Sequence, residues 1–120
     1  LEIEYVRFQD QLQFEIIVAP EVEQTLIPKF LIQPLIENAI KHGTSKIENG
    51  KIKLEIVRLD QDLHITVHDN GPEFPDHPDS GYGLKSTVDK LELLYDNAYS
   101  FQILNQPEKK IDIRLKNIFN

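Results

Sequence analysis

One stretch of the chain, FLIQPLIENAIKHG at residues 30–43, interleaves apolar side chains with polar ones that can do chemistry. On a helix, which turns about 100° per residue, the apolar side chains fill one arc, and Glu37, Asn38, Lys41 and His42 fill the other. The amide oxygen of Asn38 can ligate Mg²⁺, and a lysine one turn further along can meet a phosphate. In either interpretation Asn38 stands on the polar arc, outside the core, and the alternative to a ligand site is an ordinary solvated helix face.

A second polar group, HDNG at residues 68–71, ends an alternating segment that is typical of a strand. Asn-Gly and Asp-Gly favour tight hairpins, but Pro72 and two further prolines follow, which argues against an immediate return strand. The carboxylate of Asp69 can accept a hydrogen bond from an exocyclic amine, and Gly71 lets a flat ring approach the backbone. The alternative is a simple turn.

A third group, SGYGLKS at residues 80–86, places Gly81, Gly83 and Leu84 where a helix is predicted to begin. The free N–H groups of a helix N-terminus can bind an anion, although a plain loop-to-helix junction has the same pattern. Neither a Walker A sequence nor a dinucleotide-binding glycine fingerprint occurs in the chain.

Composition limits the classes of function. The 120 residues suffice for one domain, and the net charge of -7 disfavours nucleic acid as a partner, since phosphate backbones bind basic faces. Without cysteine the chain has no disulfide and no thiolate metal site. No apolar run approaches the roughly 20 residues of a membrane span. Because the first residue is Leu rather than Met, we interpret the chain as a soluble, cytoplasmic fragment of a longer protein, whose own attachment to a membrane is left open.

The elements that must position these groups follow from hydrophobic periodicity. Alternation of apolar residues predicts five strands, at residues 12–20, 50–59, 63–69, 99–105 and 110–116. Helical periodicity predicts helices at residues 30–43, with Gly43 as a C-cap, and at residues 83–95. Residues 1–10 are interpreted as the end of a helix that enters from upstream. The order predicts an α+β fold: a two-layer sandwich with a mixed, mostly antiparallel sheet and helices on one face.

The joint order of the motifs is more specific than any one of them. An Asn-bearing helix, a strand ending in D-x-G, a loop and a G-x-G-L helix start together resemble the Bergerat (GHKL) ATP-binding fold of DNA gyrase, a heat-shock chaperone family, MutL and histidine kinases. LIQPLIENAIKHG, DNG and GYGLKSTVDKLELLY are similar to sensor histidine kinases of the LytS/YehU type, over about residues 12–116. The resemblance implies an ATP-binding catalytic domain at residues 12–120. It also implies an upstream dimerisation and phosphoacceptor helix that ends within residues 1–11.

The resemblance also implies roles for the first polar group. Asn38 matches the Mg²⁺-binding asparagine of the family. Lys41 and His42 match positions near the phosphates of ATP. The helix would then offer its polar arc to Mg-ATP.

The other two groups acquire roles in the same way. Asp69 matches the aspartate that accepts a hydrogen bond from the amino group of adenine, and Gly71 matches its accompanying glycine. Gly81, Gly83 and Leu84 match the hinge of a lid that closes over the triphosphate.

The chain departs from the family pattern at several positions. Glu73 stands in place of a second glycine, Ser86 in place of an asparagine, and PEKK at residues 107–110 in place of a late Gly-Thr pair. Pro34 occupies the position of the general-base glutamate of the related ATPases, so water activation for simple hydrolysis is unsupported. Phosphoryl transfer to a histidine depends mainly on positioning and charge stabilisation.

The resemblance therefore implies the catalytic domain of a two-component sensor kinase. It would transfer the γ-phosphoryl group of Mg-ATP to a histidine on upstream helices, so the chain itself carries no phosphoacceptor. The implied partners are those helices and a response regulator, and the parent would be a homodimer in the inner (plasma) membrane. Glu73 favours the alternative of a non-catalytic docking or scaffold module of the same fold. A chaperone-like or topoisomerase-like ATPase is disfavoured by Pro34 and by the short length.

Overall fold

The computed structural model describes residues 2–8, 12–20, 29–44, 47–75 and 84–119. Two helices, α1 and α2, span Lys29–His42 and Leu84–Tyr95. Six strands, β1 to β6, span Glu2–Phe8, Leu12–Val18, Gly50–Leu59, Asp62–Asp69, Tyr99–Leu104 and Lys110–Leu115.

The six strands form one mixed sheet in the order β1-β2-β3-β4-β6-β5. β2 and β3 pair in parallel, and every other pair is antiparallel. A parallel pair needs a crossover connection, and α1 lies in the connection between β2 and β3. β3 and β4 form an antiparallel hairpin, with Ile52 opposite Asp69.

The core lies between one face of the sheet and the two helices. In β3, for example, Ile52, Leu54 and Ile56 are buried, as the alternation of apolar and charged residues predicts. Leu31 and Leu35 of α1 and Leu91 of α2 are fully buried against this face. Burying one such side chain contributes about 1.5–3 kcal/mol, so the stripes fix which faces of sheet and helices meet. The prediction of an α+β, two-layer sandwich is confirmed.

The first strand corrects the sequence-based expectation. Residues 1–10 were expected to end a helix, but Glu2–Phe8 form β1, antiparallel to β2. LEIEY places apolar residues at every second position, which suits a strand once β2 is available as a partner. β1 is therefore part of the sheet, whereas the proposed domain boundary near residue 11 stays a prediction.

Neither helix of the described part of the chain is long and apolar enough to cross a membrane.

Candidate functional site

A buried carboxylate ends strand β4. Alternation along the strand places Asp69 on the same face as Ile65 and Val67, the face that the helices cover. Its Oδ1 accepts hydrogen bonds from the backbone N–H of Gly71 at 2.9 Å and from Nζ of Lys109 at 2.8 Å. A buried charge is tolerated only when it is paired and hydrogen-bonded, and both conditions hold here.

The turn after β4 packs directly on the end of α1. A Cβ atom on Gly71 would overlap the backbone of Gly43, and a Cβ on Gly43 would overlap Oδ1 of Asp69 and the carbonyl oxygen of Ala39. Gly43 follows the last helical residue, as predicted, but its φ lies outside the left-handed region. The two glycines are therefore required by a close backbone approach, which brings Asp69 beside the helix end.

Lys109 is a site residue that the sequence reasoning missed. It belongs to the PEKK segment that departs from the family pattern, and its side chain, 7% exposed, pairs with the 5% exposed side chain of Asp69. Its Nζ also lies 4.6 Å from the centroid of the Phe74 ring, a cation–π distance. Strand parity could have found it, because position 109 continues the alternation of the buried residues Ile111 and Ile113.

The segment after Asp69 is held by the turn between β5 and β6. Asn105 accepts a hydrogen bond from the backbone N–H of Phe74 at 2.8 Å and donates one to its carbonyl oxygen at 3.0 Å. These two bonds fix the buried Phe74 ring under the ammonium of Lys109. The neighbouring Glu73 accepts a hydrogen bond from Nε2 of Gln106 at 3.3 Å, which ties its carboxylate to the same turn.

The polar arc predicted for α1 is divided in the structure. Glu37 and Lys41 are exposed, but Asn38 is 5% exposed, so the expectation that it stands outside the core is wrong. Spacings of three and four residues place Asn38 on one stripe with Leu31 and Leu35, which face the sheet. His42 continues that stripe and is half-buried.

The structure brings together only some of the predicted site residues. Asp69 and Gly71 meet the C-terminal end of α1, which carries Asn38 and His42. Leu84, the first residue of α2, is part of the hydrophobic core. Gly81 and Gly83 lie outside the described residues, so the lid hinge stays a prediction.

A pocket of about 560 Å³ opens beside the Asp69–Lys109 pair. Both residues line it together with Gly71, and Phe14 and Ile52 contribute from β2 and β3. The pocket is also lined by Asn70 and by residues that alternate to the opposite face of the sheet: Gln13, Glu15, Lys51, Lys53, His68 and Glu108. Within the described part of the chain no residue of α1 lines this pocket, so it reaches Asp69 but not Asn38.

Two histidines lie on the opposite, open face of the sheet. Nε2 of His64 contacts Oδ1 of Asp112, and Nδ1 of His68 lies 3.3 Å from Oε1 of Glu108 without forming a hydrogen bond. Burial lowers the pKa of His68 below its usual value. Asp69 points to the helix-covered face, so the two histidine rings lie across the sheet from its carboxylate, although His68 lines the pocket beside the Asp69–Lys109 pair.

Within the described residues, no group of three or more His, Cys, Asp or Glu side chains could hold a metal ion.

Comparison with known proteins places this geometry in a family. Residues 24–106 match the family model described as histidine kinase-, DNA gyrase B-, and HSP90-like ATPase. Over 118 residues, 97% of the chain, it is 33% identical to the sensor histidine kinase BtsS of Escherichia coli K12, of which it covers 21%. It is 30% identical over 115 residues to the sensor histidine kinase YesM of Bacillus subtilis, covering 91% of the chain and 20% of that protein.

A solved structure shares the fold. The blue-light activated histidine kinase of Erythrobacter litoralis matches with a TM-score of 0.72 at 15% identity, over 92% of this chain and 36% of that one. The chain spans about one fifth of the length of the two kinases that it resembles in sequence. The similarity to sensor histidine kinases that the motifs indicated is thus confirmed, and the chain belongs to the histidine kinase-, DNA gyrase B-, and HSP90-like ATPase family.

Proposed function

We propose that the chain is the ATP-binding catalytic domain of a sensor histidine kinase, which binds Mg-ATP and supplies its γ-phosphoryl group to a histidine elsewhere in the parent protein. The observation that carries the proposal is the buried Asp69 carboxylate, held at the end of β4 against the end of α1 in a chain of this family. The sequence motifs shared with sensor kinases favour this branch of the family.

Asp69 would bind the base. Both hydrogen bonds that it accepts end on Oδ1, and within the described residues Oδ2 accepts none. Oδ2 is thus available to accept from the exocyclic amine of adenine. Gly71 keeps the carboxylate in place through its N–H, so the acceptor is oriented before a ligand arrives.

The end of α1 would face the triphosphate. The amide oxygen of Asn38 supplies one ligand for Mg²⁺, and phosphate oxygens and waters supply the others. Lys41 and His42, within the following turn, would place an ammonium and a ring N–H near the phosphates. Bound Mg²⁺ would neutralise charge on the transferring phosphoryl group.

The residue one turn before Asn38 favours transfer of the phosphoryl group to a histidine over hydrolysis of ATP. Pro34 lies inside α1 and cannot act as a general base for water. The acceptor histidine would then belong to the upstream helices of the parent. We propose that the parent is a homodimer in the inner (plasma) membrane and that a response regulator receives the phosphoryl group.

The docking or scaffold alternative was favoured by Glu73, whose charge would repel a polyanion if it faced the site. In the structure Glu73 is exposed and its carboxylate is bonded to Gln106. This contact supports the kinase proposal over the alternative.

Calorimetry with millimolar Mg-ATP tests the proposal. The unsubstituted 120-residue chain is expected to give a saturable heat of binding, and EDTA is expected to weaken the binding. Asp69→Asn should lose preference for ATP over GTP, because an amide can present its N–H to the base instead of an acceptor. Asp96→Asn is the matched control, since Asp96 is exposed in a turn with a φ of 52° that asparagine tolerates. Absence of binding by the parent chain would refute the proposal.

A separate test concerns transfer. The chain alone should neither label itself from radiolabelled ATP nor hydrolyse ATP at a useful rate. A longer protein that restores the upstream helices should form acid-labile phosphate. Acid-labile phosphate on the isolated chain would contradict the assignment of the acceptor to those helices.

A further inference from the structure

The buried ammonium of Lys109 has more N–H donors than there are acceptors bonded to it. It carries three N–H groups, and one of them is used by Oδ1 of Asp69 at 2.8 Å. Another side of the ammonium faces the Phe74 ring, 4.6 Å from its centroid. Within the described residues Lys109 makes no other hydrogen bond, although its side chain is only 7% exposed. A buried donor without an acceptor is unfavourable, so the remaining N–H calls for a partner.

The pocket beside the pair can supply that partner. Lys109, Asp69 and Gly71 are among its lining residues, so a ligand in the pocket would lie next to the pair. The pair is held from behind, since Asn105 fixes Phe74 beneath the ammonium. A ligand at the pair would therefore meet a hydrogen-bond acceptor on Asp69 and a donor on Lys109 side by side, both on largely buried side chains.

We propose that Lys109 is a specificity-determining residue that donates a hydrogen bond to N1 of adenine while Asp69 accepts one from the amine at N6. This inference rests on the proposed function and deepens it. On the Watson–Crick edge of adenine a donor amine and the acceptor N1 are neighbours. Guanine presents the reverse order, an acceptor at O6 and a donor at N1. The Asp69–Lys109 pair matches adenine, and with guanine it would set acceptor against acceptor and donor against donor.

Ligand variants test the contact atom by atom. The ligands are the Mg²⁺ complexes of ATP, of 1-deaza-ATP, which has C–H in place of N1, and of purine riboside triphosphate, which lacks the N6 amine. Calorimetry on the parent chain should show 1-deaza-ATP binding roughly ten- to hundredfold more weakly than ATP, the usual effect of a hydrogen bond to a charged group.

Lys109→Met keeps an unbranched stem against Phe74 and removes the donor. This variant should bind ATP and 1-deaza-ATP equally, while still binding purine riboside triphosphate less well than ATP. Lys110→Met is the matched control, because strand alternation puts Lys110 on the opposite face of the sheet. It should discriminate among the ligands as the parent chain does.

Three results would overturn the inference. The first is equal binding of ATP and 1-deaza-ATP by the unsubstituted chain. The second is a Lys109→Met variant that still binds ATP more tightly than 1-deaza-ATP. The third is tighter ATP binding by that variant, which would mean that the Lys109 side chain occupies the space of the adenine base. If Lys109→Met fails to fold, the parent ligand series still decides, and Lys109→Gln, which restores an N–H donor, should keep part of the preference. A parent chain that binds no ATP at all would instead count against the proposed function.

Discussion

Replacement of Asp69 by asparagine tests the buried ion pair through stability alone, without any ligand. The side chains of Asp69 and Lys109 are 5% and 7% exposed, so solvent screens their interaction little. Removing one partner of a buried pair typically costs about 3–5 kcal/mol. The introduced amide keeps an oxygen for the N–H of Gly71 and for Nζ, so we expect a smaller loss, about 2–3 kcal/mol.

Urea denaturation of four proteins measures the pair: the parent, Asp69→Asn, Lys109→Met and the double variant. Once the carboxylate is gone, removing the ammonium relieves an uncompensated charge, so the double variant should be more stable than Asp69→Asn alone. A coupling free energy of about 2 kcal/mol is expected. Effects that add to within about 0.5 kcal/mol would refute the pairing.

The chain offers a control with the same chemistry at the surface. Lys85 and Asp89 form an ion pair at 3.1 Å, but their side chains are 80% and 63% exposed. Exposed pairs at this spacing contribute about 0.3–0.5 kcal/mol, so Asp89→Asn should hardly move the denaturation midpoint. If Asp69→Asn and Asp89→Asn lost the same free energy of unfolding, burial of the Asp69 pair would not be the cause of the loss.

Three further outcomes are expected. Gly71→Ala should destabilise the fold by about 1–3 kcal/mol, because the added methyl overlaps the backbone of Gly43; an unchanged melting temperature would contradict that approach. Asn38→Ala should change stability by less than about 1 kcal/mol, since the better helix propensity of alanine offsets the lost contacts of the amide, yet abolish Mg²⁺-dependent ATP binding; retained binding would remove Asn38 from the site. Burial lowers the pKa of His68 from 6.5, so the unfolded chain binds more protons and stability should fall as pH drops below 6.5; His68→Gln should flatten this slope, and an unchanged slope would refute the assignment.

Most of the architecture was predictable because its signals are local. Alternation in β3, β4 and β6 and the helical periodicity of α1 are each contained in one segment, and the structure confirms these strands and this helix. β1 was misjudged because its short alternating run becomes a strand through pairing with β2, which a single segment does not show.

The site was predictable in part for the same reason. Asp69 and Gly71 stand together in one motif, so their joint position at the end of β4 could be expected. Strand alternation marks Lys109 as a position on the core face, but the pairing with Asp69 joins residues 40 positions apart in the sequence, so nothing local identifies the partner. Asn38 was placed outside the core because the boundary of the buried stripe on α1 depends on how the helix sits on the sheet.

A buried ion pair is a poor way to stabilise a fold, because apolar residues of similar volume often serve as well or better. At the end of β4 the chain nevertheless buries a carboxylate and an ammonium beside a pocket, and it places two glycines so that α1 can approach them. The pair leaves one carboxylate oxygen and one N–H unused among the described residues. Those two groups are what a ligand with neighbouring donor and acceptor atoms requires, which explains the burial of charge here by recognition rather than by stability.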